Sequence, residues 1–143
     1  MSTPNQSTSD SDQASKGLIL VVEDQNHLRE DLQFVLTQAH FEVIPAENGR
    51  QALEVLRACP RVPDLIITED MMLHMNGVEL MREIRKESAW MWVPLLFLAG
   101  RCCDRNVDIR KIFGGNDFLL KPFNADQLLR AVEEVLARSR ASS

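Results

Sequence analysis

Five short apolar runs, each followed by residues whose apolar positions recur at helical spacing, constrain this chain more than any other feature. Leu18 to Val22 (LILVV) is a continuous β-favouring run of the kind buried on both faces of a sheet. Leu28, Leu32, Val35, Leu36 and Ala39 follow it at helical intervals. Glu42 to Ala46 is a weaker strand whose Pro45 suits a sheet edge. Asn48-Gly49 then opens a helix carrying Ala52, Leu53 and Leu56. The spacing predicts further strands over 64–68, 94–98 and 117–120. It predicts a helix over 78–85, with Leu80, Met81 and Ile84 inward, and another over 103–113, stopped by Gly114-Gly115. Asn124 caps a last helix with Leu128, Leu129, Val132, Val135 and Leu136 on one stripe. Strands separated by helix-length connections run parallel, and right-handed crossovers put helices on both faces. The pattern alone therefore gives an α/β, doubly wound sandwich of five strands and five helices.

The 143 residues suffice for one domain. Residues 1–16 (MSTPNQSTSDSDQASK) are nearly free of large apolar side chains and read as a disordered polar tail. Residues 138–143 read as a second polar tail, which leaves a folded domain at 17–137. The longest apolar run, 89–99, is interrupted by Pro94 and falls short of the roughly 18 residues a membrane span needs. The opening residues lack the apolar core of a secretory signal. Three cysteines cannot all pair, which points to a reducing, cytoplasmic setting. A net charge of −5 with no basic run argues against a nucleic-acid surface. The expectation is an acidic cytoplasmic protein that contacts neither nucleic acid nor membrane.

In open α/β sheets the binding crevice lies beyond the carboxyl ends of the strands. Glu23 and Asp24 follow the first strand, Glu69 and Asp70 the third, Ala99 and Gly100 the fourth, and Lys121 and Pro122 the fifth. Three or four carboxylates and a lysine thus gather at one edge. Carboxylate oxygens are hard donors suited to Mg²⁺ or Mn²⁺, and a lysine suits a phosphoryl oxygen as a point charge. Arrival from three separate strands weakens the blander alternative of solvated loop charges.

The runs ILVVED, AENGRQALEVL, PDLIITEDMMLHMNGVEL, PLLFLAG and GGNDFLLKPF resemble, in order and spacing, the receiver domain of two-component response regulators. The resemblance covers 18–136 and implies a flavodoxin-like receiver fold with strand order 2-1-3-4-5. It also implies a site in which an acidic pair binds Mg²⁺, an aspartate after the third strand accepts phosphate, and a Ser/Thr and a Lys contact the phosphoryl group. Glu23 and Asp24 fall on the acidic pair, Lys121 on the lysine and Phe118 on the aromatic switch position. Counting from PDLIIT and back from Gly77 puts Glu69 at the acceptor position, with Asp70 one residue beyond. The cation's implied ligands are Glu23, Asp24, Glu69 and the backbone carbonyl of Met71. Ala99 stands at the Ser/Thr position, and Leu73 and His74 stand where the loop's proline and next glycine are usual.

Two positions needed for phosphoryl transfer have therefore changed. The extra methylene of Glu69, a bond of about 1.5 Å, carries its oxygens away from an in-line meeting with a phosphodonor. Ala99 removes the hydroxyl that would hold a phosphoryl oxygen. Together they point to a degenerate, non-enzymatic pseudo-receiver that signals by protein contact. In it Glu69 partly imitates a phosphorylated residue, with one negative charge instead of roughly two. The alternative is a working receiver phosphorylated by a histidine kinase on Glu69 or Asp70. Adjacent strand-end residues point to opposite sides, so Asp70 serves only through a local bulge.

Mg²⁺ is expected to bind weakly or not at all, with a direct Glu69–Lys121 ion pair as the competing arrangement. The expected partners are a sensor histidine kinase or another signalling protein, and a second copy through the 104–136 face. With seven residues after Leu136, no output module is expected in this chain, and a fragment of a longer protein is equally compatible. Cys102 and Cys103 read as reduced loop thiols in preference to a redox pair, and Cys59 as helix-end packing. His27, His40 and His74 share no metal-ligand spacing, and Trp90 and Trp92 read as packing over a strand's start.

Overall fold

The computed structural model describes residues 14–100 and 116–142. Its centre is an all-parallel sheet of β1 (Leu18–Val22), β2 (Glu42–Ala46), β3 (Leu65–Glu69), β4 (Leu95–Ala99) and β5 (Asp117–Leu120). The order across the sheet is β2-β1-β3-β4-β5. Among the described residues four helices flank it: α1 (Asn26–Gln38), α2 (Gly49–Ala58), α3 (Gly77–Arg85) and α4 (Ala125–Ser142). The doubly wound, flavodoxin-like architecture read from the sequence is the one observed. The fifth helix expected over 103–113, its Gly114-Gly115 stop, and Cys102 and Cys103 lie outside the described residues, as do residues 1–13.

Strand periodicity divides the core in two. Leu20, Val22, Ile66, Leu95 and Phe97 face α2 and α3, meeting Ala52, Leu53, Leu56, Leu80 and Ile84. Ile19, Val21, Leu65, Ile67, Leu96 and Leu98 face the other way, onto Leu32 and Leu36 of α1 and Leu128, Val132 and Leu136 of α4. Every residue of β1, β3 and β4 is buried, as continuous apolar runs in a parallel sheet require. Pro45 sits on edge strand β2, where its missing N–H leaves no gap in the ladder to β1.

The helix starts follow the capping chemistry of their sequences. Asn48 Oδ1 accepts the Gln51 N–H at the head of α2. Asn76 and Glu79 form a reciprocal capping box on α3, and Asn124 and Gln127 form another on α4.

Four boundaries differ from the sequence reading. β3 and β4 lie one residue further along than expected, so Glu69 and Ala99 close their strands instead of following them. The stretch 138–142, expected as a polar tail, continues α4; Arg138 pairs with Asp117 at 2.9 Å and Arg140 donates to the Lys16 carbonyl at 2.7 Å. Lys16, expected in the N-terminal tail, is tied down in turn. Its N–H donates to the His40 carbonyl at 2.9 Å and its ammonium meets Glu133 at 3.1 Å. Polar side chains bonding to one another hold both stretches where apolar burial would not. Among the described residues, no helix is long and apolar enough to cross a membrane.

Candidate functional site

The carboxyl ends of β1, β3 and β5 assemble the site. β1 and β3 are neighbours with Val22 opposite Thr68, so the next residues, Glu23 and Glu69, come side by side. Both continue the odd-numbered alternation that faces α1 and α4. Both are buried, Glu23 to 1% exposure. Lys121 follows β5, whose Leu120 pairs with Ala99, and its stem spans β4 to place the ammonium in an ion pair with Glu69 Oε2. The Lys121 N–H donates to the Ala99 carbonyl at 2.9 Å, and the Lys121–Pro122 peptide is cis.

Two buried carboxyls beside one ammonium leave one charge uncompensated. Glu23 Oε2 accepts the Gln25 N–H at 3.1 Å, while Oε1 finds no donor among the described residues. Burial, then the hydrogen bond to Glu69, push the Glu23 carboxyl from 4.5 up to about 8; the Gln25 N–H and the Lys121 charge act against this. Burial and the neighbouring Glu69 carboxyl thus both favour the neutral form of Glu23. Arg29 fixes the strand end by donating to the Glu23 carbonyl at 2.7 Å and to Asn26.

The other two acids take different directions. Asp24 is half-exposed, with Oδ2 3.4 Å from the Leu73 N–H in the loop after β3. Asp70 uses its backbone, receiving Gly77 N–H at 2.9 Å and donating to Leu98 O at 3.1 Å; its carboxylate makes no hydrogen bond or ion pair among the described residues. Of the four carboxylates at this edge, Glu23 and Glu69 are thus the two that share the buried site with Lys121. The reason is that Asp24 and Asp70 continue the opposite alternation, and Asp24 is taken up by a loop N–H.

The loop from β3 to α3 is held tightly. An ideal Cβ at Gly77 would stand 2.4 Å from the Glu69 carbonyl oxygen, so only glycine lets α3 start this close to the strand end. His74 adopts φ of 72°, in the left-handed region that glycine populates freely. At the start of β4, Arg85 donates to Val93 O at 2.7 Å and Asn116 Oδ1 at 2.9 Å, joining α3 to the approach of β5. Trp90 packs in the core, whereas Trp92 is 58% exposed. Sequence reasoning found neither the Arg85 link nor the His74 conformation. Only the loop's departure from glycine at that position hinted at the latter.

A family model described as the response regulator receiver domain matches residues 19–133. This chain belongs to that family. The receiver is 36% identical over 126 residues to the probable transcriptional regulator ycf27 of Pyropia yezoensis, covering 87% of this chain and 49% of that protein. It is 31% identical over 121 residues to the phosphate regulon transcriptional regulatory protein PhoB of Pseudomonas aeruginosa, covering 85% and 52%. The chain spans about half the length of these curated relatives. Among solved structures, chemotaxis protein CheY4 of Vibrio cholerae superposes with a TM-score of 0.74 at 29% identity, covering 85% of this chain and 98% of that one.

The receiver family implies a divalent cation at this edge. The orphaned, buried Oε1 of Glu23 beside the Glu69 carboxyl supplies hard oxygen donors of the right kind. Among the described residues no three acidic, imidazole or thiol groups converge as ligands, because Asp24 is turned to Leu73. The donor chemistry fits, and the third carboxylate would have to swing in. Ala99 is fully buried, and Phe118, half-buried, packs against the cluster that contains it.

Proposed function

We propose that this receiver signals through protein contact with its phosphoryl-transfer step disabled, a degenerate receiver with Glu69 at the acceptor position. The engagement of Glu69 carries the reading: its buried carboxylate is paired with Lys121 and lies beside the Glu23 carboxyl, at a site where Ala99 offers no hydroxyl. Phosphoryl transfer is achieved almost entirely by positioning and charge stabilisation, so a nucleophile displaced by a methylene and a missing contact strike at its two requirements. The fixed negative charge beside Lys121 stands in part for the charge a phosphoryl group would bring. A bound Mg²⁺ would neutralise transferring charge. Glu23, Asp24, Glu69 and the Met71 carbonyl would hold it, weakly, because the Lys121 ammonium already neutralises the Glu69 carboxylate.

The partners of this reading are a sensor histidine kinase or another signalling protein in a cytoplasmic setting, and a second copy through the 104–136 face. Of that face, 104–115 lie outside the described residues, and β5 and most of α4 form the described part. The net charge of −5 disfavours nucleic acid. The rival reading, a working acceptor, rests on Asp70, whose carboxylate has no partner among the described residues.

Restoring the lost groups tests the proposal. Glu69→Asp is expected to take up phosphoryl from acetyl phosphate and Mg²⁺, read by intact mass, with little conformational response. Glu69→Asp with Ala99→Thr is expected to show both labelling and chemical-shift changes around Phe118, making the two positions non-additive. Failure of both variants to label would overturn the acceptor assignment to Glu69.

A further inference from the structure

We propose that the groove between the start of α2 and the β3–α3 loop docks a segment of a partner protein that places a large apolar side chain beside a carboxylate. The inference deepens the protein-contact reading above and rests on it. Asn48, Gly49 and Arg50 form one wall, Leu73, His74 and Met75 the other, around a volume of about 260 Å³.

Leu73 is 72% exposed and Met71, two residues earlier, 68%; they are the most exposed large apolar side chains among the described residues. Of the two, Leu73 lines the concavity itself, where an exposed apolar side chain marks a contact surface more than an isolated one does. The groove is also preformed. A Cβ on Gly49 would stand 2.6 Å from Met75 Sδ, so the loop rests directly on the helix backbone. Met75 N–H donates to Leu73 O at 2.8 Å, which fixes the turn that presents Leu73. A wall set before binding spares the partner an ordering cost.

Charge selects the acid. No carboxylate lines the groove, although the chain carries a net charge of −5. Arg50 is exposed and makes no ion pair among the described residues. The N-terminus of α2 adds positive potential on the same wall. A segment offering lysine beside its apolar residue would meet Arg50 with like charge, and a purely polar one would leave Leu73 in water. The Leu73 N–H reaches Asp24 Oδ2, so an occupant leaning on Leu73 is one hydrogen bond from the acidic pair.

The test titrates the isotope-labelled full chain with three tetrapeptides, acetyl-Glu-Leu-Leu-Glu-amide and its Lys-Leu-Leu-Lys and Glu-Ser-Ser-Glu counterparts, followed by NMR. The first alone is expected to give saturable shifts at Gly49, Arg50 and 73–75, with a Kd on the order of 1 mM. Arg50→Glu and Leu73→Ser, both at exposed positions, are each expected to weaken it about fivefold or more. The inference is overturned by no localised shift at about 10 mM peptide, by equal binding of the lysine peptide, or by saturable shifts mapping to another surface. Shifts at this groove that track protein concentration without peptide also overturn it, since they would assign the groove to a second copy of the chain. No phosphoryl transfer enters the measurement, so its failure is distinguishable from failure of the degenerate-receiver reading.

Discussion

Gly77→Ala probes the junction that sets the site. The added Cβ would stand 2.4 Å from the Glu69 carbonyl oxygen, 3.1 Å from Phe97 Cε1 and 3.2 Å from Asp70 Cα. Close carbon–oxygen contacts run near 3.3 Å, so the start of α3 must retreat by roughly 0.9 Å. Two of the three neighbours are backbone at the end of β3 and just beyond it, and the Gly77 N–H to Asp70 O bond of 2.9 Å would stretch with the retreat. Overpacking of this kind costs about 1–3 kcal/mol, and rigid neighbours place Gly77→Ala near the upper end despite alanine's better helix propensity. The urea midpoint is expected to fall by about 1 M or more with an unchanged slope. Gly49→Ala meets a flexible methionine side chain instead, and should cost about 1 kcal/mol. A neutral Gly77→Ala, or an inverted order, would refute the close approach of α3 to the acceptor strand.

Further outcomes follow from the same site. The Glu23 carboxyl is held near 8 in the fold against 4.5 unfolded, so the folded state binds the extra proton. Its contribution is complete below about pH 4.5 and is lost as pH rises through about 8. In EDTA the thermal midpoint of the native chain should therefore fall across that window relative to Glu23→Gln; parallel curves would contradict it. His74→Gly relieves a φ of 72° and should stabilise by about 0.5–1 kcal/mol in the same urea assay. A loss of stability would mean that the imidazole makes compensating contacts.

How much was legible in the sequence follows from where each feature's determinants lie. β1, β2 and β5 were read to the residue because their apolar runs end at polar or turn residues. β3 and β4 begin and end one residue later than their patterns suggest, closing at the acceptor and hydroxyl positions. A glutamate ends a strand by propensity, yet here the ladder continues, with Asp70 N–H bonded to Leu98 O and Lys121 neutralising the side chain. The meeting of Glu23, Glu69 and Lys121 was legible because strand ends in a parallel sheet converge. The turn of Asp24 toward Leu73 was not, since its partner is a loop N–H on a different strand unit. His40 at positive φ gave no local signal, and His74 only the indirect one of standing where a glycine is usual. The groove beside Leu73 joins two loops distant in sequence and exists only in the folded chain.

Phosphoryl uptake by the unmodified chain tests the central claim most directly. The native protein, incubated with acetyl phosphate and Mg²⁺, is analysed by intact mass spectrometry and then by peptide mapping of the loop that follows β3. The expected result is no phosphoryl mass under conditions in which Glu69→Asp is labelled. Labelling of the native chain as strong as that of Glu69→Asp would contradict the degenerate-receiver reading, and its position would say how. A phosphoryl group on Asp70 would mean that the residue beyond the strand end is the acceptor, and one on Glu69 that the longer side chain still reaches the donor.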